Sequence, residues 1–140
     1  MKSLSGKLGV ILAVGLAIFG YTEVWGADWK LYGSNDKGEY YYDTRGITHP
    51  SKNIVRVWTR QNLTEKGVLD MVGKFGKEYE NLSHTISLWE INCSEQENRG
   101  LSLTHYDRKG STIYSISSPS DWNFIVPESI TDSLYKEVCK

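Results

Sequence analysis

Cysteine is almost missing from this chain: Cys93 and Cys139 are the only two in 140 residues. No Cys-x-x-Cys occurs, so the motif of a redox pair is missing and a structural role is expected for both. Histidine is nearly as scarce. His49, His84 and His105 have no metal-ligand spacing among themselves or with carboxylates, so they are expected as surface or strand residues. Neither Ser102 nor Ser129 stands in a Gly-x-Ser-x-Gly context, and spacing assembles no Ser/His/Asp set. Charge is balanced, with 16 Lys+Arg against 17 Asp+Glu and a net charge of −1. Nothing in that balance recruits nucleic acid or an anionic membrane surface. No repeat, low-complexity tract or linker divides the chain. These absences leave no recognisable catalytic set, and neither a metal nor a cofactor is expected.

What is present begins with a processing segment. Lys2 and Lys7 form a positive start, and Leu8 to Phe19 is an apolar run of about 12 residues. That length suits a signal peptide, whereas a membrane span wants about 20. Thr22 and Glu23 close the run, and cleavage is expected after Gly26 or Ala27, with Gly26 preferred because the alternative leaves bulky Trp25 three positions back. No cysteine lies near the cut, so a lipoprotein signal is not expected. Residues 1–26 are thus a signal peptide and 27–140 one domain of ordinary size. The segment removed carries Lys2, Lys7 and Glu23, which moves the net charge from −1 to −2. Export together with an even cysteine count predicts a Cys93–Cys139 disulfide.

The remaining chain reads as strands with two helices. Asp28 to Ser34 and Glu39 to Thr44 alternate as strands around the turn Asn35-Asp36-Lys37-Gly38, where glycine is expected to supply a positive φ. Gly46 to Asn53, around His49-Pro50, reads as a loop. Ile54 to Arg60 is a strand with Val55, Val57 and Thr59 on its core side and Arg56, Trp58 and Arg60 on the other. Val68, Met71, Val72, Phe75 and Tyr79 then make a helical stripe, capped by Asn62 or Thr64. Thr85 to Cys93 is the central strand, with Trp89, Ile91 and Cys93 on one face and Ile86, Leu88 and Glu90 on the other. Glu90 is either an acid/base group with a raised pKa or, as preferred, solvated or paired with an arginine. Ser94 to Gly100 reads as a polar connection, and 101–117 as a hairpin around Asp107-Arg108-Lys109-Gly110. Trp122 to Val126 is a short extended piece. The last helix opens at Pro127 or is capped by Ser129, with Ile130, Leu134 and Val138 on its apolar face. This order gives an α+β fold with an antiparallel sheet.

Several motifs coincide along this path: Trp29, Tyr42-Asp43 ahead of Gly46-Ile47, and Val55-Arg56-Val57-Trp58. They continue through Glu90-Ile91-Asn92-Cys93, Tyr106-Asp107-Arg108-Lys109-Gly110 and Trp122, to Ile125-Val126-Pro127-Glu128-Ser129 and Cys139. In these the chain resembles the bacterial surface-adhesin protein E family over essentially all of residues 27–140. The resemblance implies a sheet of about six antiparallel strands, with the C-terminal helix held on its concave side by the disulfide. It also implies a homodimer as an available assembly, and binding of host matrix or plasma proteins from the cell surface. The lipid anchor of the founding adhesin has no counterpart here, because the lipidation cysteine is missing.

Function is therefore expected to be binding. Tyrosines, tryptophans and arginines lead the residues of recognition surfaces, and Arg56, Trp58 and Arg60 form the most interface-like triplet. They are the candidate partner-binding residues, on a face that either meets a protein partner or a second copy, or is covered internally by the Val68–Tyr79 helix or by cation–π stacking. The reading is an exported, non-catalytic, adhesin-like domain. Its rival is a periplasmic accessory or inhibitor protein acting on an envelope component, and a hydrolase ranks last. No nucleic-acid partner and no stable membrane insertion after signal removal are expected. Location is the periplasm, the medium or the cell surface of a bacterium.

Overall fold

A computed structural model describes residues 27–140, and the signal segment expected over 1–26 lies outside the described residues. Eight strands form one antiparallel sheet: β1 (Trp29–Asn35), β2 (Gly38–Asp43), β3 (Thr48–Ser51), β4 (Ile54–Leu63), β5 (Leu82–Asn92), β6 (Glu97–Asp107), β7 (Thr112–Ile116) and β8 (Asn123–Phe124). The main path runs β1-β2-β4-β5-β6-β7, with β3 added to β4 and β8 to β6. Helix α1 (Glu65–Phe75) follows β4, and α2 (Ile130–Val138) ends the chain. The α+β reading and its six principal strands are what the chain forms, and β3 and β8 are short additions.

The strand ends differ from the reading in instructive places. β3 forms where a loop was expected. It is exposed throughout and touches the sheet through Thr48 opposite Arg56 and Ser51 opposite Ile54, the edge setting in which a proline such as Pro50 is tolerated. β6 starts at Glu97, inside the expected connection, because Arg99 finds Glu90 across the pair. Gly38 is not a positive-φ residue; Gly76 and Gly110 are the glycines in that region. It is required instead for close approach, since a Cβ there would lie 2.6 Å from the Asn62 carbonyl oxygen. The turn itself is held by Asn35 Oδ1, which accepts from the backbone N–H of Lys37 and of Gly38.

Helix α1 is capped by Thr64 rather than Asn62: the Thr64 hydroxyl accepts from Gly67 N–H at 3.1 Å. Its first turn is tied to the β1–β2 turn by Thr64 N–H to Lys37 O, the Thr64 hydroxyl to Asp36 O, and Lys66 to Asp36. The expected stripe breaks at Phe75, which is exposed. Tyr79 is buried, but from a 3-10 turn (Lys77–Tyr79), where its ring meets His105 edge-on at 5.4 Å.

The core lies on one face of the sheet. Val57, Ile91, Tyr42, Ile125 and Leu134 are buried together there, and Trp89, Tyr135, Val138 and the two cysteines pack around them. The inward positions of β4 are thus the anticipated Val55, Val57 and Thr59, all buried. Helix α2 is begun by Ser129, with Pro127 outside it. The Ser129 hydroxyl accepts from Asp132 N–H, and Asp132 Oδ2 accepts from Glu128 N–H, a reciprocal cap. Three ties hold α2 down. They are the Cys93–Cys139 disulfide with Cα atoms 5.6 Å apart, the Tyr135 hydroxyl donating to Cys93 O, and Glu137 accepting from both Lys30 and the Tyr42 hydroxyl.

Candidate functional site

Among the described residues both helices contribute to the core face, and neither lines the opposite face of β4, β5 and β6. Alternation decides what is displayed there. Register sets Trp58 opposite Leu88 and Ser102 beyond it; Arg60 opposite Ile86 and then Thr104; Asn62 opposite His84 and then Tyr106. Of these, Trp58, Arg60, His84, Ile86, Ser102, Thr104 and Tyr106 line a broad depression of about 1110 Å³ together with Trp29, Arg45 and Gly46. None of its lining residues belongs to a helix, among the described residues. Trp58 is 38% exposed, unusual for the central tryptophan of a sheet. Gly46 lets the loop after β2 pass close to the Asp43 carboxylate, for a Cβ at that position would sit 2.7 Å from Asp43 Oδ2. His84 stacks on Tyr106 with ring centroids 5.0 Å apart. Burial, and then the nearby Arg60 charge, lowers the His84 pKa below its ordinary value, so the ring is neutral at physiological pH.

One end of this face is a fixed charge lattice. Arg56 donates from Nε and Nη2 to Glu90 Oε2 at 3.0 and 2.6 Å, and Arg99 donates from the same two atoms to Glu90 Oε1 at 3.0 and 2.8 Å. The Arg99 guanidinium carbon lies over the Trp122 ring, 4.6 Å from its centroid. Burial pushes the Glu90 carboxyl upward, but the hydrogen bonds and charges of the two arginines outweigh it and hold the pKa below the usual carboxylate range. Glu90 is therefore an ionised structural anion, the arginine-paired alternative, and not an acid/base group with a raised pKa.

The three expected partner-binding residues are thus on one face but in different states. Trp58 is displayed, Arg56 is committed to Glu90, and Arg60 donates from Nε to Asn62 Oδ1 at 2.7 Å. Neither arginine is engaged on the Trp58 ring. The carboxylates beside them are already used, since Asp43 Oδ1 accepts from the backbone N–H of Asp28 and of Arg45. Among the described residues no group of three or more His, Cys, Asp or Glu is placed to hold a metal ion. Reasoning from sequence missed Arg99 as a member of the face. The signal that points to Arg99 is a lone acid in a central strand, which requires more than one basic neighbour.

The family model for Surface-adhesin protein E matches residues 29–140. The chain belongs to that family. Membership supports a surface adhesin-like role and suggests a non-enzymatic protein that binds a protein partner. It likewise suggests an exported or cell-surface location. Comparison with curated proteins gives no match. Among the described residues no helix is long and apolar enough to cross a membrane.

Proposed function

We propose that this surface-adhesin protein E domain is exported through a cleaved signal at residues 1–26. It recognises a protein partner on the uncovered sheet face, with Trp58 as the anchor and Arg60 and Arg56 as its polar flank. The observation that carries this is the 38% exposure of Trp58 at the centre of a sheet face on which, among the described residues, no helix packs. An indole so placed leaves apolar area in water unless a partner covers it. Arg60 shares the depression with it and Arg56 stands two residues along the same strand face, while Asp43 and Glu90 are internally satisfied. The partner that fits presents apolar side chains for Trp58 and carboxylates at the edge, which steer encounter and set register.

The test is retention of the exported protein on an immobilised extracellular-matrix preparation, with the double variant Trp58→Ala, Arg60→Glu beside it. The expected outcome is a variant with nearly unchanged melting temperature and lost retention. Destabilisation by about 3–5 kcal/mol, as for large-to-small changes in a core, with retention intact would show that the indole serves packing instead.

A further inference from the structure

The core face has a second feature that the partner face does not share. Between α1 and α2 the sheet is left uncovered by either helix, and a cleft of about 330 Å³ opens there. Under α2 the inward positions of β4 and β5 are Val55, Val57 and Ile91. Further along the same faces, after Val57 on β4 and past Trp89 on β5, they become Thr59, Ser87 and Thr85, each buried. The floor is thus hydroxylated where the roof is missing. Met71 of α1 and Ile130 of α2 form the sides, and Tyr32 and Trp89 add aromatic surface. Thr59 Oγ1 accepts from the Trp89 indole N–H at 3.0 Å, and Thr85 Oγ1 lies 2.7 Å from His105 Nδ1. The Ser87 hydroxyl, on a residue 7% exposed, has no side-chain partner among the described residues.

We propose that this cleft binds a neutral, hydroxyl-bearing ring of the size of a single sugar residue. The lining excludes the other classes. A charged ligand would be taken out of water with no uncommitted countercharge in the lining, because Lys37 and Asp70 pair with each other at 3.4 Å and Arg60 donates from Nε to Asn62 Oδ1. A wholly apolar ligand would leave the buried Ser87 hydroxyl unmatched. A sugar ring offers an apolar face to Trp89 or Tyr32 and hydroxyls to Ser87 and its neighbours. The volume is at the low end of the roughly 300–1,000 Å³ of small-molecule sites, which admits one ring and not a chain.

The probes are D-galactose, D-mannose and N-acetyl-D-glucosamine, each in large excess over the ¹⁵N-labelled exported protein. At least one is expected to shift the Trp89 indole N–H and the amides of Thr59 and Ser87, leaving the Trp58 indole N–H in place. Ser87→Ala should keep the melting temperature and weaken that probe roughly tenfold, the loss of about one hydrogen bond. Ser87→Leu, which fills the cleft, should abolish the shifts, and Trp58→Ala, outside the cleft lining, should leave them unchanged. No shift with any of the three sugars overturns the proposal. So do shifts that map to the Trp58 face, or equal binding of cyclohexylmethanol or glucuronate. The partner reading stands or falls separately, on matrix retention.

Discussion

Arg56 and Glu90 face each other across the β4–β5 pair, and the shorter of their two hydrogen bonds is 2.6 Å. Arg99 closes the same carboxylate from the β6 side. The Glu90 side chain is 4% exposed while the arginines are 41% and 32% exposed, so the guanidinium groups themselves keep water from the acid. Removing the charge leaves two cations facing a neutral amide. Glu90→Gln is expected to cost about 2–3 kcal/mol, between the loss of charged hydrogen bonds and the breaking of a fully buried pair. A urea midpoint lowered at unchanged m-value would show it. Because the folded pKa of Glu90 is depressed, its contribution is present above the ordinary carboxylate range and disappears as pH falls through the folded value. The variant should therefore lose less stability than the wild type below about pH 4.5.

The disulfide joins residues 46 apart in sequence. In the chain-entropy model, closing a loop of about 47 residues contributes about 4 kcal/mol. That is a large share of a domain stability of about 5–15 kcal/mol. Cys139→Ser should lower the denaturation midpoint correspondingly, and the wild type in reductant should follow it. The Tyr135–Cys93 and Glu137–Lys30 contacts remain in the variant, so α2 should stay on the sheet at room temperature in the absence of denaturant. Loss of the far-UV helix signal there would mean that these contacts do not hold α2 without the disulfide.

Two helical glycines should respond with opposite signs. Gly67 and Gly73 are both in α1, where alanine is favoured by about 1 kcal/mol on propensity. A Cβ at Gly73 meets nothing within 4 Å, whereas one at Gly67 would lie 2.9 Å from Leu63 Cδ1 and still closer to the Lys37 carbonyl oxygen. Gly73→Ala is expected to stabilise by about 0.5–1 kcal/mol. Gly67→Ala is expected to destabilise by about 1–3 kcal/mol, since the obstacle is backbone. Thermal melts of the pair check both signs. Equal effects would mean that α1 does not sit as tightly on the β1–β2 turn as its geometry shows.

Alternation made β4 readable, because Val55, Val57 and Thr59 share a face at period two. The α2 cap was readable too, as Ser129 and Asp132 stand at capping-box spacing. The edge of the sheet was not. β3 owes its existence to β4, and its own residues, His49-Pro50 among them, carry no strand signal. The Glu90 lattice was half visible. An acid on a central strand asks for an arginine, but Arg99 lies in a polar stretch whose strand character comes from pairing rather than from composition. Tyr79 escaped its helix for a similar reason: docking on His105 outweighs continuing the 3.6-residue period through Gly76. The cleft was hidden because it depends on where two helices stop, although Thr59, Thr85 and Ser87 at inward positions marked it.

Two histidines give a pH dependence of definite sign. Burial lowers the pKa of His105, whose ring is packed by Tyr79 and Tyr114 and bonded to Thr85, and it lowers that of His84, with Arg60 adding to the effect. Both folded values lie below the ordinary value of about 6.5 that applies in the unfolded chain. Between the folded and unfolded values the unfolded chain binds more protons, so stability rises with pH across that interval. It is complete above about pH 6.5 and declines as pH falls toward the folded values. Melting temperatures of the wild type should therefore drop between pH 7 and pH 5, and those of His84→Gln, His105→Gln should drop less over the same range. The remaining slope at lower pH belongs to carboxylates held down by their partners, Glu90 by its arginines, Asp132 by Glu128 N–H and Glu137 by Lys30. An NMR titration of the two imidazole rings reads the cause directly. Midpoints below about 6.5 are expected for both, and a midpoint at the ordinary value for His105 would mean that the ring is solvated and that the cleft wall it forms is open to water.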